Sequence, residues 1–463
     1  MSRLKKQITI KNEFINFAGS ERRLEDSVEA HGTSFIESLE GTFGCVYERG
    51  QTIKAFTDWI GQYPLYFLII PNPEGGLQEV VFANHMASFL SCRDYAYANL
   101  YRVPPSFLVT IDLVSGKIDY QRYYGLPRYT ADEVGKKVGR NPAEIGQNYR
   151  RILYEEVEKR LPPDGTKIGI ALGGIDSLQV LKVLADLRPD DITAYTIFGS
   201  ETSQNREIAD YFKVRLVDVF IEEDKQFESD RDGLNRILDT IEGINPLDVY
   251  CGVAFHYLYQ AMSDDNIEAI ALGNAGNAWA GAHSMRTDWF NIDLARLVEI
   301  PVRRRMTLGY PPASGYCHQQ FGSGTNEGLA MYDLKLASAF GIGKTLEPFI
   351  YRKFLEFALN IPADHFKFSE DEIGSCFSGM LLDSLLKNID LFPLDRDQKR
   401  IIPRLPVVYQ AFRDEIPDRL FYLTSQRVQD SVGITNLMDK LGGQTYILNR
   451  FNTRYRAQEP QST

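Results

Sequence analysis

The sequence predicts an α/β protein in which a β-rich N-terminal part precedes a parallel sheet covered by helices on both faces. In residues 1–128, short runs rich in β-branched and aromatic residues alternate with turn residues. From Lys167 onward, continuous apolar runs alternate with helical stretches, which is typical of a doubly wound parallel sheet. Beyond about residue 330 the pattern becomes predominantly helical.

The N-terminal strands are indicated by three runs that turn residues separate. The runs are VVFAN (80–84), SFLVTIDL (106–113) and KIDYQRYYG (117–125), with turn signals at Asn72-Pro73, Gly75-Gly76, Pro104-Pro105 and Gly116. Residues 129–141 are polar and contain two glycines, so we expect a linker there. In this interpretation the first 128 residues form a separate unit.

A helix is predicted to begin directly after this linker. Asn141 is a favourable N-cap, Pro142 suits the first helical turn, and Glu144 stands at the capping-box position. Four apolar runs then predict the strands of the parallel sheet, and one run between the first two predicts a helix. The strands are IGIAL (168–172), AYTIF (194–198), RLVDVFI (215–221) and IEAIAL (267–272), and the helix is SLQVLKVLADL (177–187).

Composition and charge exclude several classes of function. The 463 residues carry 51 basic and 62 acidic side chains, and the net charge of −11 disfavours a uniformly basic nucleic-acid binder. The longest clean apolar run, 66–70, is far shorter than the ~20 residues that span a bilayer, and the N-terminus lacks the apolar core of a signal peptide. The five cysteines are scattered without a CxxC pair, so we expect reduced thiols and no metal site. These features predict a cytoplasmic protein of enzyme size.

The sharpest local signal is a glycine pair between a buried strand and a helix, in KIGIALGGIDSLQVL (167–181). Gly173 and Gly174 allow the backbone to approach a phosphate closely. The free amides and the dipole of the following helix, near Asp176 and Ser177, favour an anion. A tight strand–helix turn with no ligand explains the glycine pair alone equally well.

The same stretch resembles the SGGxDS pyrophosphate loop of the ATP-pyrophosphatase superfamily, and the chain as a whole resembles asparagine synthetase and its β-lactam synthetase relatives. The similar stretches are LEGTFGCVYERG (39–50), FTDWIGQYPLYFL (56–68), VVFANHMASFL (80–90), VPPSFLVTIDLVSGKIDYQRYYGLP (103–127), SETSQNREIADYFKVRLVDVFI (200–221), ALGNAGNAWAGAH (271–283), LEPFIYRKFLEFALNIPADHFK (346–367) and IPDRLFYLTSQRVQDSVG (416–433). Their succession in the family's order, over roughly residues 38–128 and 145–435, carries the resemblance.

The resemblance implies a division of the chain and a nucleotide site. It implies a degenerate glutaminase-like β-sandwich of the Ntn type over 1–128 and a doubly wound synthetase domain with a helical C-terminal part over 142–453, on either side of the polar linker 129–141. The polar composition at the end of the chain predicts a disordered tail over 454–463. The nucleotide that this family binds is ATP. The residues that would contact it are Gly173, Gly174, Asp176, Ser177, Gly273 and Gly276.

The glutaminase half departs from the family's pattern. The family uses a cysteine nucleophile directly after the initiator methionine, where this chain has Ser2. A serine hydroxyl has a far higher pKa than a thiol, so it is a poor nucleophile unless a base activates it. The family's glutamine-binding arginine and Asn-Gly-Glu motifs are also missing from this sequence.

The synthetase half departs as well. The serine that the family has before the glycines is either missing or replaced by Leu172. Asn277 and Ala278 take the places of an acidic pair, and since magnesium prefers carboxylate oxygens, Mg²⁺ binding is doubtful. The candidate catalytic positions are Lys344, where the family has a glutamate, Ser425, where it has a lysine, and Arg427 as a displaced substitute for that lysine.

Three hypotheses follow from these departures. The first is a pseudoenzyme that has lost adenylation, because several groups that stabilise charge in the transition state are replaced together. The second is an active ATP-dependent ligase with rearranged residues that forms an amide or a lactam. The third is a repurposed pocket for a nucleotide or another small anion. We expect a small-molecule carboxylate or a protein as partner, no nucleic acid or membrane, and leave homo- and hetero-oligomers open.

We predict that the protein has no glutaminase activity, because Ser2 replaces the cysteine nucleophile and the glutamine-binding motifs are missing. The measurement is the release of glutamate from glutamine by the purified protein. Release at a rate typical of an amidotransferase would contradict this prediction.

Overall fold

The computed structural model describes residues 21–72, 77–85, 88–89, 100–197, 202–220, 240, 246–273, 335–362, 411–412, 414–417 and 420. Within these ranges the chain is a mixed α/β protein with two antiparallel sheets and one parallel sheet, so the predicted α/β class is confirmed. The tail predicted over 454–463 lies outside the described residues. None of the helices in these ranges is long and apolar enough to cross a membrane.

The described N-terminal part contains two helices followed by seven strands. The elements are α1 (Glu21–His31), α2 (Thr33–Ser38), β1 (Gly44–Arg49), β2 (Thr52–Thr57), β3 (Tyr66–Pro71), β4 (Leu77–Ala83), β5 (Leu100–Arg102), β6 (Phe107–Asp112) and β7 (Ile118–Arg122). One antiparallel sheet has the order β1-β2-β6-β7 and the other has the order β4-β3-β5. The three runs predicted as strands fall on β4, β6 and β7.

The two antiparallel sheets pack against each other through alternating side chains. Ala55 of the first sheet and Phe67 of the second belong to one buried cluster, in which the rings of Phe67 and Tyr101 stack with centres 5.2 Å apart. Successive side chains of a strand point to opposite faces. Phe56 therefore belongs to a different cluster, together with Val28 of α1. The first sheet is thus covered on both faces.

The connection between β2 and β3 is held by one buried carboxylate. Asp58 is fully buried and accepts hydrogen bonds from the backbone N of Gln62 and of Tyr63, both at 2.9 Å. Gly61 in this turn has a φ of 74°, and an added Cβ would lie 2.8 Å from Pro105. Burial raises the pKa of Asp58 to about 6, although the backbone donors act in the opposite direction. The turn therefore depends on the Asp58 carboxyl group, whose ionised form is destabilised by burial.

Two capped helices connect the antiparallel part to the parallel sheet. They are α3 (Ala131–Lys137) and α4 (Pro142–Glu158). A capping box between Thr130 and Glu133 starts α3, so the segment predicted as a linker contains a short helix. The helix α4 begins as predicted, since the Asn141 side chain accepts from the backbone N of Glu144 at 3.0 Å. The Glu144 carboxylate reaches the backbone N of Arg140 at 2.9 Å, one residue before the expected capping-box partner.

The parallel sheet has five described strands in the order β10-β9-β8-β11-β12. The strands are β8 (Ile168–Ala171), β9 (Ile192–Ile197), β10 (Arg215–Val219), β11 (Ala269–Ala271) and β12 (Lys344–Leu346). The helices are α5 (Ile175–Leu187), α6 (Thr202–Phe212), α7 (Pro246–Asp264) and α8 (Arg352–Ala358), with a short 3-10 helix at Pro348–Ile350. All four predicted strands are present. The fifth strand, β12, lies in the region that the sequence predicts as helical, so that prediction misses it.

Both faces of the parallel sheet are buried. Ile168 and Ala194 point into the cluster that also contains side chains of α4, α5 and α8. Tyr195 and Ile270 point into a second cluster, where Met262 of α7 packs. The alternation of adjacent residues between two clusters is expected for strands with apolar cover on both sides.

The antiparallel part and the parallel part are joined by a continuous core and by polar contacts. One cluster contains residues of α1, β2, β8 and α8. The Asn360 side chain donates to Pro127 O and accepts from the backbone N of Tyr129, both at 2.9 Å. The Tyr124 hydroxyl donates to the Glu356 carboxylate at 2.7 Å. The division of the chain at residues 129–141 stays a prediction.

We predict that Asp58→Asn makes stability less dependent on pH. The pKa of Asp58, about 6 in the folded protein, lies above its ordinary value, so wild type loses stability as the pH rises from about 4 through 6. The asparagine amide does not ionise. The difference in free energy of unfolding should therefore shift by ~2 kcal/mol in favour of the variant between about pH 4 and about pH 7.

Urea unfolding of both proteins at the two pH values measures this shift. Asp112→Asn is the matched control, because hydrogen bonds from Ser115 lower the pKa of the half-buried Asp112, which gives the opposite sign. The same pH profile for wild type and Asp58→Asn would contradict the role assigned to Asp58.

Candidate functional site

The strand order of the parallel sheet has a switch point between β8 and β11. The sheet extends from β8 through β9 and β10 on one side and through β11 and β12 on the other, so the order of connection reverses between β8 and β11. In open parallel sheets, ligands bind in the crevice outside the strand ends at such a switch point. The segment from Gly173 to Ser177 follows β8 and Gly273 follows β11, so the structure brings these predicted residues together.

The loop after β8 is closed by the side chain of Ser177. Its Oγ accepts hydrogen bonds from the backbone N of Gly173 at 2.8 Å and of Gly174 at 2.9 Å, and it donates to Gly174 O at 2.9 Å. A hydroxyl has one donor and two acceptor sites, so these three bonds use all of them. Ser177 is 5% exposed. The amides of both glycines therefore point at a hydroxyl of the protein itself.

Gly273 packs directly on the N-terminus of α5. An added Cβ at this position would lie 2.4 Å from the backbone N of Ser177 and 2.7 Å from the backbone C of Asp176. Such distances are too short for any side chain, and the atoms that would have to move are backbone atoms. Glycine is thus required where the end of β11 meets the loop between β8 and α5.

Leu172, directly before the glycines, is a core residue. Its backbone N donates to Tyr195 O at 2.8 Å, which extends the pairing of β8 with β9 by one residue. Its side chain is 3% exposed and lies in the same cluster as Ile168 and Ile170, so the alternation of β8 continues through it. No hydroxyl is available at this position to contact a phosphate.

Asp176 is partly exposed and lies in the first turn of α5, where the helix dipole favours negative charge. Burial and the negative charge of Asp176 raise the pKa of Tyr149 well above its usual value, and the Tyr149 hydroxyl donates to Gln179 at 2.7 Å.

Within the described residues, no group of three His, Cys, Asp or Glu side chains is placed to hold a metal.

A phosphate group fits this site in part. The N-terminal amides of α5 suit an anion, whereas the glycine amides are already bonded to Ser177. Bound ATP would supply an activated phosphate to this crevice. The remaining predicted site residues, Gly276, Asn277, Ala278, Ser425 and Arg427, lie outside the described residues.

The candidate residue Lys344 lies at the other edge of the parallel sheet. It is the first residue of β12 and pairs with Ala269, which on its other side pairs with Ile168 at the start of β8. Lys344 is therefore at the amino edge, whereas Gly173 follows the carboxyl edge. The structure does not bring Lys344 to the phosphate loop.

Lys344 instead lines a cavity of about 310 Å³ between the antiparallel part and the parallel sheet. Its charged lining residues are Glu40, Lys159, Arg160, Lys344 and Arg352. The sequence analysis missed all of these except Lys344. They come from four separate segments of the chain, so no local motif could have identified them as neighbours.

Comparison with known proteins supports only a distant relationship. No family model matches the chain. The carboxyethyl-arginine beta-lactam-synthase of Streptomyces clavuligerus is 24% identical over 209 residues, which cover 42% of this chain and 38% of that protein. The chain thus spans well under half the length of this relative. The similarity supports an asparagine-synthetase-like relationship at most.

A structural comparison adds little. The U34-tRNA thiolase NcsA from Methanococcus maripaludis, with its 4Fe-4S cluster, aligns with 68% of this chain and 81% of that chain, at 13% identity and a TM-score of 0.22. This score is too low to establish a common fold.

We predict that Gly273→Ala destabilises the protein by ~1–3 kcal/mol, because the added methyl group must displace the backbone at Ser177. Gly343→Ala is the matched control, since an added Cβ there meets no atom within 4 Å, and its effect should stay within ~0.5 kcal/mol. Urea unfolding of the three proteins measures both effects. Equal stability of Gly273→Ala and wild type would contradict the close packing at the switch point.

Proposed function

We propose that this chain is an asparagine-synthetase-like protein without glutaminase activity and with a degraded adenylation site. It acts as a pseudoenzyme or as a repurposed binding partner of an amide-forming system. In this proposal residues 1–128 are a degenerate Ntn-like glutaminase unit and residues 142–453 are an ATP-pyrophosphatase-type synthetase unit. The protein works in the cytoplasm, and it binds a small-molecule carboxylate or a protein, not nucleic acid or a membrane.

The observation that carries the proposal is the closed phosphate loop. Ser177 Oγ bonds both glycine amides, and Leu172 is buried in the core where a hydroxyl donor would be needed. A pyrophosphate that used these amides would have to displace the hydroxyl first. Hydrogen bonds to charged groups contribute ~1.5–3 kcal/mol each, so the lost donors weaken nucleotide binding substantially.

The sequence supports the same conclusion for the metal. Magnesium is held by hard oxygen ligands, and the acidic pair of the family is replaced by Asn277 and Ala278. Asp176 alone is a weak basis for a magnesium site. We therefore infer that any nucleotide bound here depends little on Mg²⁺.

A second candidate function is an active ATP-dependent carbon–nitrogen ligase of the asparagine or β-lactam synthetase type. The observation that favours it is the close packing of Gly273 against the start of α5 at the switch point. The relative with 24% identity is itself a beta-lactam-synthase. In this alternative the replaced charges are supplied by other residues.

Exchange of radiolabelled pyrophosphate into ATP distinguishes the two candidates. The assay uses the unmodified protein with Mg²⁺ and a panel of carboxylic acids. We predict no exchange above background, because formation of an acyl-adenylate needs groups that this chain has replaced. Robust magnesium-dependent exchange would overturn the pseudoenzyme proposal in favour of the active ligase.

The variant Asn277→Asp with Ala278→Glu refines this prediction. It should increase magnesium-dependent ATP binding, since two carboxylates would again be available to the metal. It should not restore exchange, because the hydroxyl before Gly173 and the lysine at the position of Ser425 are still missing, and residues that act as a unit are non-additive.

The matched control is Asn274→Asp with Ala275→Glu, which makes the same chemical change three residues earlier. Calorimetric titration with ATP, with and without Mg²⁺, compares the two double variants. An equal gain in both would show a general effect of added negative charge and would contradict the assignment of 277 and 278 to the metal position.

A further inference from the structure

We propose that the cavity between the antiparallel part and the parallel sheet binds a small organic anion with two or more negative charges. Lys344 in its wall lies at the amino edge of the sheet, whereas Gly173 lies at the carboxyl edge. The cavity is therefore separate from the phosphate loop. The proposal does not depend on whether that loop binds a nucleotide.

The cavity has the size and the walls of a small-molecule site. Its volume of about 310 Å³ is at the lower end of the ~300–1,000 Å³ that such sites occupy. Leu39, Trp59 and Ile350 contribute apolar surface. The Trp59 ring packs edge-on against Tyr124 with centres 5.4 Å apart, which holds this wall in place. A ligand with a short carbon skeleton between charged ends fits these walls.

Positive charge dominates the lining of the cavity. Among the described residues, four cationic side chains and one acidic side chain line it. Arg160 is only 18% exposed and Lys344 is half-buried, so they differ from cations that extend freely into water. Partly buried charges of one sign are costly unless an opposite charge lies among them. Glu40 and Glu156 supply part of that charge, and a bound anion would supply more.

The acidic side chain in the wall is already shared between two cations. The Glu40 carboxylate pairs with Lys159 and lies 3.5 Å from Arg160 Nη2. Burial raises the pKa of Glu40, but the hydrogen bond and charge of Lys159 and the charge of Arg160 outweigh it and hold the pKa below its usual value. Burial and the positive charge of Arg160 both lower the pKa of Lys344. A second carboxylate, Glu347, is buried and accepts a hydrogen bond at 3.4 Å from Gln62, which lines the cavity.

The two arginines are oriented before any ligand binds. Arg160 donates to the Glu156 carboxylate at 2.7 Å, and its guanidinium lies 4.0 Å from the centre of the Tyr351 ring. Arg352 lies over the ring of Tyr124 at 5.4 Å. A planar guanidinium pairs with a carboxylate or a phosphate through two parallel hydrogen bonds, whereas an ammonium acts as a point charge. The cavity wall has two guanidinium groups, of Arg160 and Arg352, and two ammonium groups, of Lys159 and Lys344. These groups suit a ligand with a negative charge at each end.

Isothermal titration calorimetry of the full chain at low ionic strength tests the proposal with three probes. Succinate supplies two carboxylates, inorganic phosphate supplies a compact anion, and succinamide has the skeleton of succinate without its charge. We expect saturable binding of an anion that added salt weakens, and no binding of succinamide. Tighter binding of succinate would identify carboxylates as the source of the negative charge, and tighter binding of phosphate would identify a phosphate group.

Variants assign the binding to the cavity. Lys344→Gln and Arg352→Gln should each weaken anion binding about tenfold, because each removes a charge-assisted hydrogen bond. Glu40→Gln should tighten binding severalfold, because it removes the carboxylate that competes with the ligand. Lys353→Gln is the matched control, since Lys353 is exposed, pairs with Glu155 and does not line the cavity, and it should bind as wild type does.

Failure of both anions to bind, or equal affinity of wild type and the three cavity variants, would overturn the proposal. If a cationic variant does not fold, Glu40→Gln decides, because its expected effect is a gain of affinity. Tighter binding by folded Glu40→Gln supports the anion site, and unchanged or weaker binding contradicts it.

Discussion

A parallel sheet is stable only when both of its faces are covered, and this constraint shapes the described part of the chain. One face is covered by α7 and its neighbours. The other face belongs to a cluster that also contains Val28 of α1 and Phe56 of β2. The helices α4, α5 and α8 cover this face, and their core is continuous with the first antiparallel sheet. The cavity with the four cations lies between the antiparallel part and the parallel sheet.

Burial of the strand β8 also determines which hydrogen-bond donors are available at the switch point between β8 and β11. Because β8 continues its alternation into the core through Leu172, the position before the glycines offers no donor to a phosphate. Ser177 then satisfies the amides of Gly173 and Gly174. The strand order places a switch point between β8 and β11, while the hydroxyl of Ser177 occupies the amides of Gly173 and Gly174. The strand order at the switch point is typical of a ligand-binding sheet, whereas the occupied amides of Gly173 and Gly174 disfavour a polyphosphate as the ligand.

Local patterns predicted those parts of the fold that depend on neighbouring residues. The start of α4 at Asn141 follows from its cap, and the strands β8 to β11 follow from apolar runs with both faces buried. The strand β12 has only three residues and exists through its pairing with β11, which no short pattern reveals. The contact of Gly273 with the loop and the pairing of Glu40 with Lys159, 119 residues apart, likewise arise from tertiary packing.

Calorimetric titration of the full chain with pyrophosphate, with and without Mg²⁺, tests the closed phosphate loop most directly. A loop whose glycine amides are bonded to Ser177 predicts weak pyrophosphate binding, and the proposed loss of an acidic pair at Asn277 and Ala278 predicts that Mg²⁺ does not change it. Tight binding that requires Mg²⁺ would contradict it, because such binding needs both free amide donors and carboxylate ligands for the metal.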